Sequence, residues 1–502
     1  MSQDDHRGDA ELDEADAVGL ARALRELLEG ATRTLARTRG DSPLVARVTG
    51  HIDRPLAAVL AVTHNLPPWE HINLQRGVDA YLEAHEGGEW FGVAGRHRGH
   101  DDLLGLLSVA ERHGEFELGS ADYGTAATGP DSNAEVVMLG LVTATAPDGA
   151  PVVIGLRQAS DFGPPVCRLE VMAANRESAT LVREEIDRLR RLHDVFRGQV
   201  LSFGYSEHHG NELVTFLPRL PLTAGQVVLP AGLLELVENH AVGIGEHAAG
   251  LLAAGQHLKR GLLLHGPPGT GKTHTVRYLI GRLQDRTVLL LTGQALRFVE
   301  QAAALARRLQ PSLVVLEDVD LVAADRDFTD GNPVLFSLLD AMDGVGSDAD
   351  VAFVLTTNRP DILERALADR PGRVDLAVEI PRPDQEGRER LLRLYATTLA
   401  PETALDSVVA ATEGVTASYI KEIVRRAVLA ALREGLPADG LDEAHLAAAV
   451  AEMDTERQAL TRSLLGAAPQ DGEEQRPGRP SPVPRPGRHP GGWSVRSGRR
   501  PF

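Results

Sequence analysis

The run Gly266-Pro267-Pro268-Gly269-Thr270-Gly271-Lys272-Thr273 follows directly on the apolar stretch Gly261 to His265 and precedes a helical pattern from Thr275 to Leu283. A strand that turns through closely spaced glycines into a helix aims successive backbone N–H groups at one point, and the helix N-terminus adds positive potential there. A lysine at the first helical turn and a hydroxyl beside it complete a cradle for a polyphosphate. Lys272 reaches the terminal phosphates, and Thr273 offers its hydroxyl to Mg²⁺. The bare pattern G-x-x-x-x-G-K-[ST] arises in unrelated chains, so the strand before it and the helix after it carry the weight. The chain has three lysines, Lys259, Lys272 and Lys421, among 52 lysines and arginines. One of them stands where phosphate chemistry asks for a compact ammonium on a flexible stem.

A chain of 502 residues is too long for one core and should hold about two or three domains with tails. Hydrophobic residues at 43% and charged residues at 25% are those of a soluble globular protein. No apolar run reaches the roughly 18 residues of a membrane span, and the N-terminus is acidic where a signal peptide is basic and then apolar. The expected compartment is therefore the cytoplasm. The single cysteine, Cys167, cannot close an internal disulfide, which agrees with a reducing compartment. The net charge of −19 argues against nucleic acid as the default partner, because phosphate backbones need a basic surface.

Composition and periodicity divide the chain. Residues 1–16 read as a disordered acidic terminus, and residues 17–66 as a helical segment with leucines at helical spacing from Leu20 to Leu35 and a second helix from Pro43 to about Thr63. Residues 67–217 mix a helix near Leu74 to His85, β-like runs at Val136 to Thr145, Pro151 to Gln158 and Val166 to Ala173, and an amphipathic helix from Arg176 to Phe196. This is the pattern of a small α+β domain. Residues 218–383 alternate apolar strands with helices, which means a parallel sheet covered on both faces. Residues 384–466 read as a separate helical domain, and 467–502 as a disordered Pro/Gly/Arg-rich tail. The expected fold class is α/β: a phosphate-loop parallel-sheet core with a C-terminal helical domain, preceded by helices and a small α+β domain.

Two polar clusters invite a metal reading. His97, His100, Asp101 and Asp102 fall in a polar loop whose spacing fixes no coordination geometry. Glu207, His208 and His209 read as a solvated turn. The run H-E-x-x-H that a zinc protease needs on a helix is absent from the sequence.

Chemistry gathers instead after the phosphate loop. The strand Leu313 to Leu316 ends in Glu317-Asp318, with Asp320 beyond. Two carboxylates at the end of a buried strand beside a phosphate loop can hold Mg²⁺ and polarise an attacking water. The next strand ends in Thr356-Thr357-Asn358, whose amide can orient that water, and Arg370 and Arg373 follow three residues apart. In this order the residues converge on phosphoryl transfer.

The segment from about 225 to 455 resembles an AAA+ ATPase module of the AAA clade in the narrow sense. The resemblance rests on a Walker A loop GPPGTGKT, a Walker B strand LVVLED, a sensor 1 TTN, a second region of homology ADRPGRVD, and GVTASY in the helical lid. It implies an ATP-hydrolysing P-loop core, commonly in a hexameric ring, with Mg²⁺ held by Thr273 and Glu317. It implies nucleotide contacts from Gly266 through Thr273 and His274, with Gly414 and Ala417 backing the adenine from the lid. By position Glu317 takes the metal role, Asp318 the catalytic base and Asn358 the water, while Arg370 and Arg373 reach the γ-phosphate of a neighbouring subunit.

Three departures from the family pattern bear on function. The family usually writes Asp-Glu where this chain has Glu317-Asp318, so the base is one methylene shorter. The family places an aromatic-hydrophobic-Gly loop that grips a polypeptide between the positions of Thr292 and Leu313, and here the nearest candidate, Phe298-Val299, is followed by Glu300. Phe298 is either a pore residue or a helix-face packing residue. Finally, no protease domain, second ATPase module or membrane anchor is expected beside the motor in this sequence. The leading expectation is an ATP-driven remodeller of proteins or protein complexes, with residues 67–217 recognising a protein substrate or adaptor. A nucleotide-dependent assembly switch or scaffold is the alternative, and a DNA-acting AAA+ protein is the reading the acidic charge disfavours.

Overall fold

The computed structural model describes residues 19, 22–27, 30, 42–85, 87–96, 98, 102–159, 166–204, 214–323, 340–342, 346, 348–361, 374–437 and 441–455. The two tails expected at 1–16 and 467–502 lie outside them.

Helix α1 (Pro43–Ile52) carries Leu44, Val45, Val48 and Ile52 on its buried face. The helix expected to run on to Thr63 stops here, because Asp53 turns left-handed (φ 55°) and Pro55 follows. The chain then enters strand β1 (Leu60–Leu66). Helix α2 (His71–Ala84), β2 (Gly92–Ala94), α3 (Leu103–His113), β3 (Glu117–Gly119), β4 (Asp122–Gly129), β5 (Ser132–Thr145), β6 (Pro151–Ala159), β7 (Val166–Ala173) and α4 (Arg176–Leu192) complete this part. Strands β1-β7-β6-β5-β4 form a five-stranded sheet, antiparallel throughout. Alternation along β6 sorts its side chains onto two faces. Val152, Ile154 and Leu156 meet α2 and α4 through Val78, Tyr81, Val182 and Ile186. Val153 meets α1 and α3 through Leu44, Val48, Leu106 and Leu107. Helices α2 and α4 approach so closely that a Cβ on Gly77 would lie 2.8 Å from the Ile186 carbonyl oxygen.

The second sheet has seven strands in the order β14-β10-β13-β12-β11-β8-β9. They are β8 (Val200–Phe203), β9 (Val214–Leu217), β10 (Arg260–His265), β11 (Thr287–Thr292), β12 (Ser312–Glu317), β13 (Val351–Thr357) and β14 (Leu376–Glu379). All neighbours run parallel except β8 and β9. Strands β8 and β9 precede residue 218 yet hydrogen-bond into this sheet, so the sheet itself runs across that position. Helices α5 (Leu233–Glu238) and α6 (Lys272–Arg282) cover one face, where Val237, Val276 and Leu279 meet Leu262, Leu264 and Val315. Helix α7 (Val299–Arg308) covers the other, where Val299, Ala302 and Ala306 meet Leu263, Leu289 and Val314. Burial on both faces explains the continuous apolar runs of these strands. The cluster under α7 also takes in Ile72 of α2 and Val136 of β5, so the two sheets share a core.

After a short α8 (Val319–Ala323) and strands β13 and β14, four helices follow: α9 (Gln385–Tyr395), α10 (Asp406–Ala411), α11 (Ala417–Arg433) and α12 (Glu443–Met453). They bury Leu392, Val408, Ile420, Ile423, Leu446 and Met453 in a core of their own. Asp384, Thr416 and Asp442 cap α9, α11 and α12 by accepting from the N–H groups of Gly387, Tyr419 and His445.

Candidate nucleotide site

Strand β10 ends at His265 and the chain turns through three left-handed glycines, Gly266 (φ 139°), Gly269 (φ 80°) and Gly271 (φ 114°), before α6 begins at Lys272. A Cβ on Gly266 would lie 2.4 Å from the Ile380 carbonyl oxygen, and one on Gly269 would lie 3.0 Å from the hydroxyls of Thr416 and Ser418. The loop is thus pressed against the chain after β14 on one side and the start of α11 on the other. The Ser418 N–H donates to the Gly269 carbonyl at 3.1 Å, which joins the loop to the helical domain. The Lys272 ammonium is buried and donates to the carbonyls of Gly266 (2.8 Å) and Pro267 (2.9 Å). Burial pushes its pKa down, while the charges of Asp318 and Asp320 pull it back up.

The carboxylates stand at the ends of the adjoining strands. Glu317 closes β12 and its side chain neighbours the Thr273 hydroxyl. Burial pushes its pKa up, and the Thr273 hydroxyl and the Arg277 charge oppose that rise. Asp318 next to it takes a left-handed conformation (φ 51°). In a residue other than glycine this is strained and recurs at functional sites. Its N–H donates to the Thr356 hydroxyl at 2.9 Å, and its carboxylate accepts from the Asn358 amide at 3.4 Å. Asp320 is buried and accepts both the Thr357 hydroxyl (2.9 Å) and the Asn358 N–H (3.1 Å). Adjacent carboxylates therefore serve different neighbours: Glu317 faces the phosphate-loop threonine, and Asp318 the asparagine of the next strand. All lie at the carboxyl ends of parallel strands, where ligands bind in open α/β sheets.

A small cleft lies beside the loop. Its walls include Val228, Leu229 and Pro230 of the linker, Thr270 of the loop, Leu391 of α9 and Ala417 of α11. Such a wall suits the faces of a flat heteroaromatic base. Ala417 stands where a base contact is expected, whereas Gly414 forms the left-handed turn before α11 (φ 73°). His274 donates from its ring to the Gln226 carbonyl at 3.0 Å. Phe298 ends a 3₁₀ turn (Gly293–Phe298), is partly buried against the core under α7, and has the Arg297 guanidinium 4.9 Å from its ring centre.

The other expected residues distribute as follows. Arg370 and Arg373 lie outside the described residues, as do His97, His100, Asp101, Glu207, His208 and His209. Asp102 caps α3 by accepting the Gly105 N–H. Among the described residues no group of three or more His, Cys, Asp or Glu side chains is arranged to hold a metal. The Thr273 hydroxyl and the Glu317 carboxylate nevertheless fit Mg²⁺, which takes one or two carboxylate oxygens and completes its shell with phosphates and water. The brace made by Asp320 and the linker wall at Val228 to Pro230 had no assigned role in the sequence. Asp320 has a signal, two residues after the carboxylate pair, but the linker has none.

Residues 262–382 match the model of the family described as ATPase family associated with various cellular activities (AAA). The chain is 35% identical over 191 residues to a proteasome-activating nucleotidase of Methanocaldococcus jannaschii, covering 35% of this chain and 44% of that protein. It is 33% identical over 219 residues to Protein CdcH of Halobacterium salinarum, covering 41% and 29%. It is 34% identical over 200 residues to an ATP-dependent zinc metalloprotease FtsH 2 of Symbiobacterium thermophilum, covering 36% and 34%. The chain thus spans less than half the length of these relatives. No helix among the described residues is long and apolar enough to cross a membrane.

Proposed function

From the premise that residues 262–382 form an AAA ATPase domain, we propose that the chain binds and hydrolyses ATP with Mg²⁺, as a cytoplasmic ring homo-oligomer of six subunits that remodels proteins or protein complexes. One observation carries the reading: Asp318 accepts from Asn358 while Glu317 neighbours the Thr273 hydroxyl, beside Lys272. Two neighbouring carboxylates divided in this way support one metal ligand and one base.

In this mechanism the backbone N–H groups of the loop hold the phosphates, and the Lys272 ammonium exchanges the carbonyls of Gly266 and Pro267 for phosphate oxygens. Thr273 and Glu317 would hold Mg²⁺, which would supply positive charge to the phosphates. Asn358 orients a water beside Asp318, and Asp318 takes the proton that water gives up as it attacks the γ-phosphorus. The bond to the bridging oxygen breaks, and ADP and phosphate leave. Arg370 and Arg373 of a neighbouring copy stabilise the charge that develops. The linker, loop and lid enclose the adenine. The region before the ATPase core offers the surface for a protein substrate or adaptor.

Two measurements test this. Lys272→Ala should lose tight MgATP binding, and unchanged affinity would overturn the site. The hydrolysis rate per subunit should climb with protein concentration in the wild type and stay low in Arg373→Ala. A rate independent of concentration in both, from a monomer, would overturn the ring.

A second reading, a nucleotide-dependent assembly switch, draws support from Phe298, whose ring is packed against the core. Protein-stimulated hydrolysis that Phe298→Ala abolishes favours threading. Hydrolysis that no protein stimulates, with assembly that follows the bound nucleotide, favours the switch.

A further inference from the structure

Helix α6 presents Lys272 and Thr273 to the phosphates, and its next residue faces elsewhere. The His274 ring makes its contact with Gln226, 48 residues earlier in the chain, at 3.0 Å. A backbone carbonyl only accepts, so Nε2 carries the proton in this contact.

Gln226 is the pivot of the linker that walls the cleft. Its side-chain oxygen accepts from the Thr223 N–H at 2.9 Å, closing the 3₁₀ turn Ala224–Gln226. The residue after it, Val227, is buried in the core under α6. Val228 packs against the core of the helical domain, and Val228, Leu229 and Pro230 line the cleft. Two adjacent side chains thus enter two different cores, and the carbonyl just before them is the one His274 holds. A Cβ on Gly387 would lie 3.7 Å from Val228 Cγ1, so the helical domain also closes on this wall.

We propose that His274 is a positioning residue for the nucleobase: through Gln226 it fixes the apolar wall of the cleft to the helix that binds the phosphates. Its contribution falls on ligands that carry a base. A base-free polyphosphate meets the loop and Lys272 alone and does not sense the wall. This rests on the nucleotide reading of the site and assigns His274 to the base wall and not to the phosphates.

The experiment compares the affinities of MgATP and of Mg²⁺-tripolyphosphate for the full chain, for His274→Ala and for His274→Gln, with Lys272→Ala alongside. The loss of one hydrogen bond should weaken MgATP about two- to tenfold in His274→Ala and leave tripolyphosphate affinity unchanged. His274→Gln, whose amide can still donate to Gln226, should recover most of the loss. Equal weakening of both ligands in His274→Ala, or no weakening of MgATP, would overturn the inference while the Lys272→Ala result still upholds the phosphate site. A wild-type chain that binds neither ligand would overturn the nucleotide reading and this inference with it.

Discussion

The carboxylate of Glu70 and the guanidinium of Arg308, 238 residues apart, form an ion pair of 2.6 Å between the two sheets of the molecule. Glu70 is the N-cap residue of α2 beneath the five-stranded sheet, and Arg308 is the last residue of α7 on the seven-stranded one. The second oxygen of Glu70 accepts from Arg190 at 2.6 Å, and Arg308 also meets Asp194 at 2.9 Å. The side chains of Glu70 and Asp194 are 3% and 0% exposed, so little water shares their charge. Helix α7 lies between β11 and the strand that carries Glu317.

Removing the bridging guanidinium should leave two buried carboxylates without it. Arg308→Ala is expected to destabilise the chain by roughly 3 kcal/mol near neutral pH, read as a fall in the urea midpoint. Burial already pushes the Asp194 carboxyl up, and the Arg308 charge opposes that rise. A carboxyl raised in the folded state favours folding when protonated and opposes it when ionised. The deficit of Arg308→Ala should consequently shrink as the pH falls below neutral and the carboxyl takes up its proton. A deficit independent of pH would contradict this account of the network.

Asp320 holds the end of β13 through Thr357 and Asn358. Asp320→Ala should let Asn358 drift from Asp318 and lower kcat on the order of tenfold to a hundredfold, with a small change in ATP affinity. Asp320→Asn keeps an acceptor oxygen and should retain more activity than the alanine variant. Steady-state kinetics beside direct ATP binding would check the split between rate and affinity.

Gly266 combines a left-handed backbone with no room for a side chain, since an added Cβ would lie 2.4 Å from the Ile380 carbonyl oxygen. Gly266→Ala should displace the loop and abolish ATP binding in a chain that still folds. Circular dichroism with an ATP titration measures both, and retained binding would show that the loop has slack.

The glycine turn between β10 and α6 and the carboxylates at the end of β12 were legible in the sequence because their residue types fall at short spacings along strand-to-helix junctions. The parallel strands were legible too, since burial on both faces makes them continuous apolar runs. Strand β1 was hidden by apolar residues that keep helical spacing from Leu44 to Val59, and only Asp53 and Pro55 mark where the helix stops. Strands β8 and β9 are four residues each, and β8 finds its parallel partner in β11 far along the chain. The cleft beside the loop draws walls from the linker, the loop, α9 and α11. No local pattern announces such a convergence.

The most direct test of the account compares ATP binding and hydrolysis in Asp318→Asn and Glu317→Gln. Asp318→Asn should bind MgATP about as the wild type does while hydrolysis falls by roughly a hundredfold or more, because an amide cannot take the proton of the attacking water. Glu317→Gln should weaken Mg²⁺ binding, so that added Mg²⁺ restores part of its rate. If Glu317→Gln binds normally and stops turnover while Asp318→Asn still hydrolyses ATP, the two carboxylates hold each other's roles, and the division drawn from Thr273 and Asn358 is wrong.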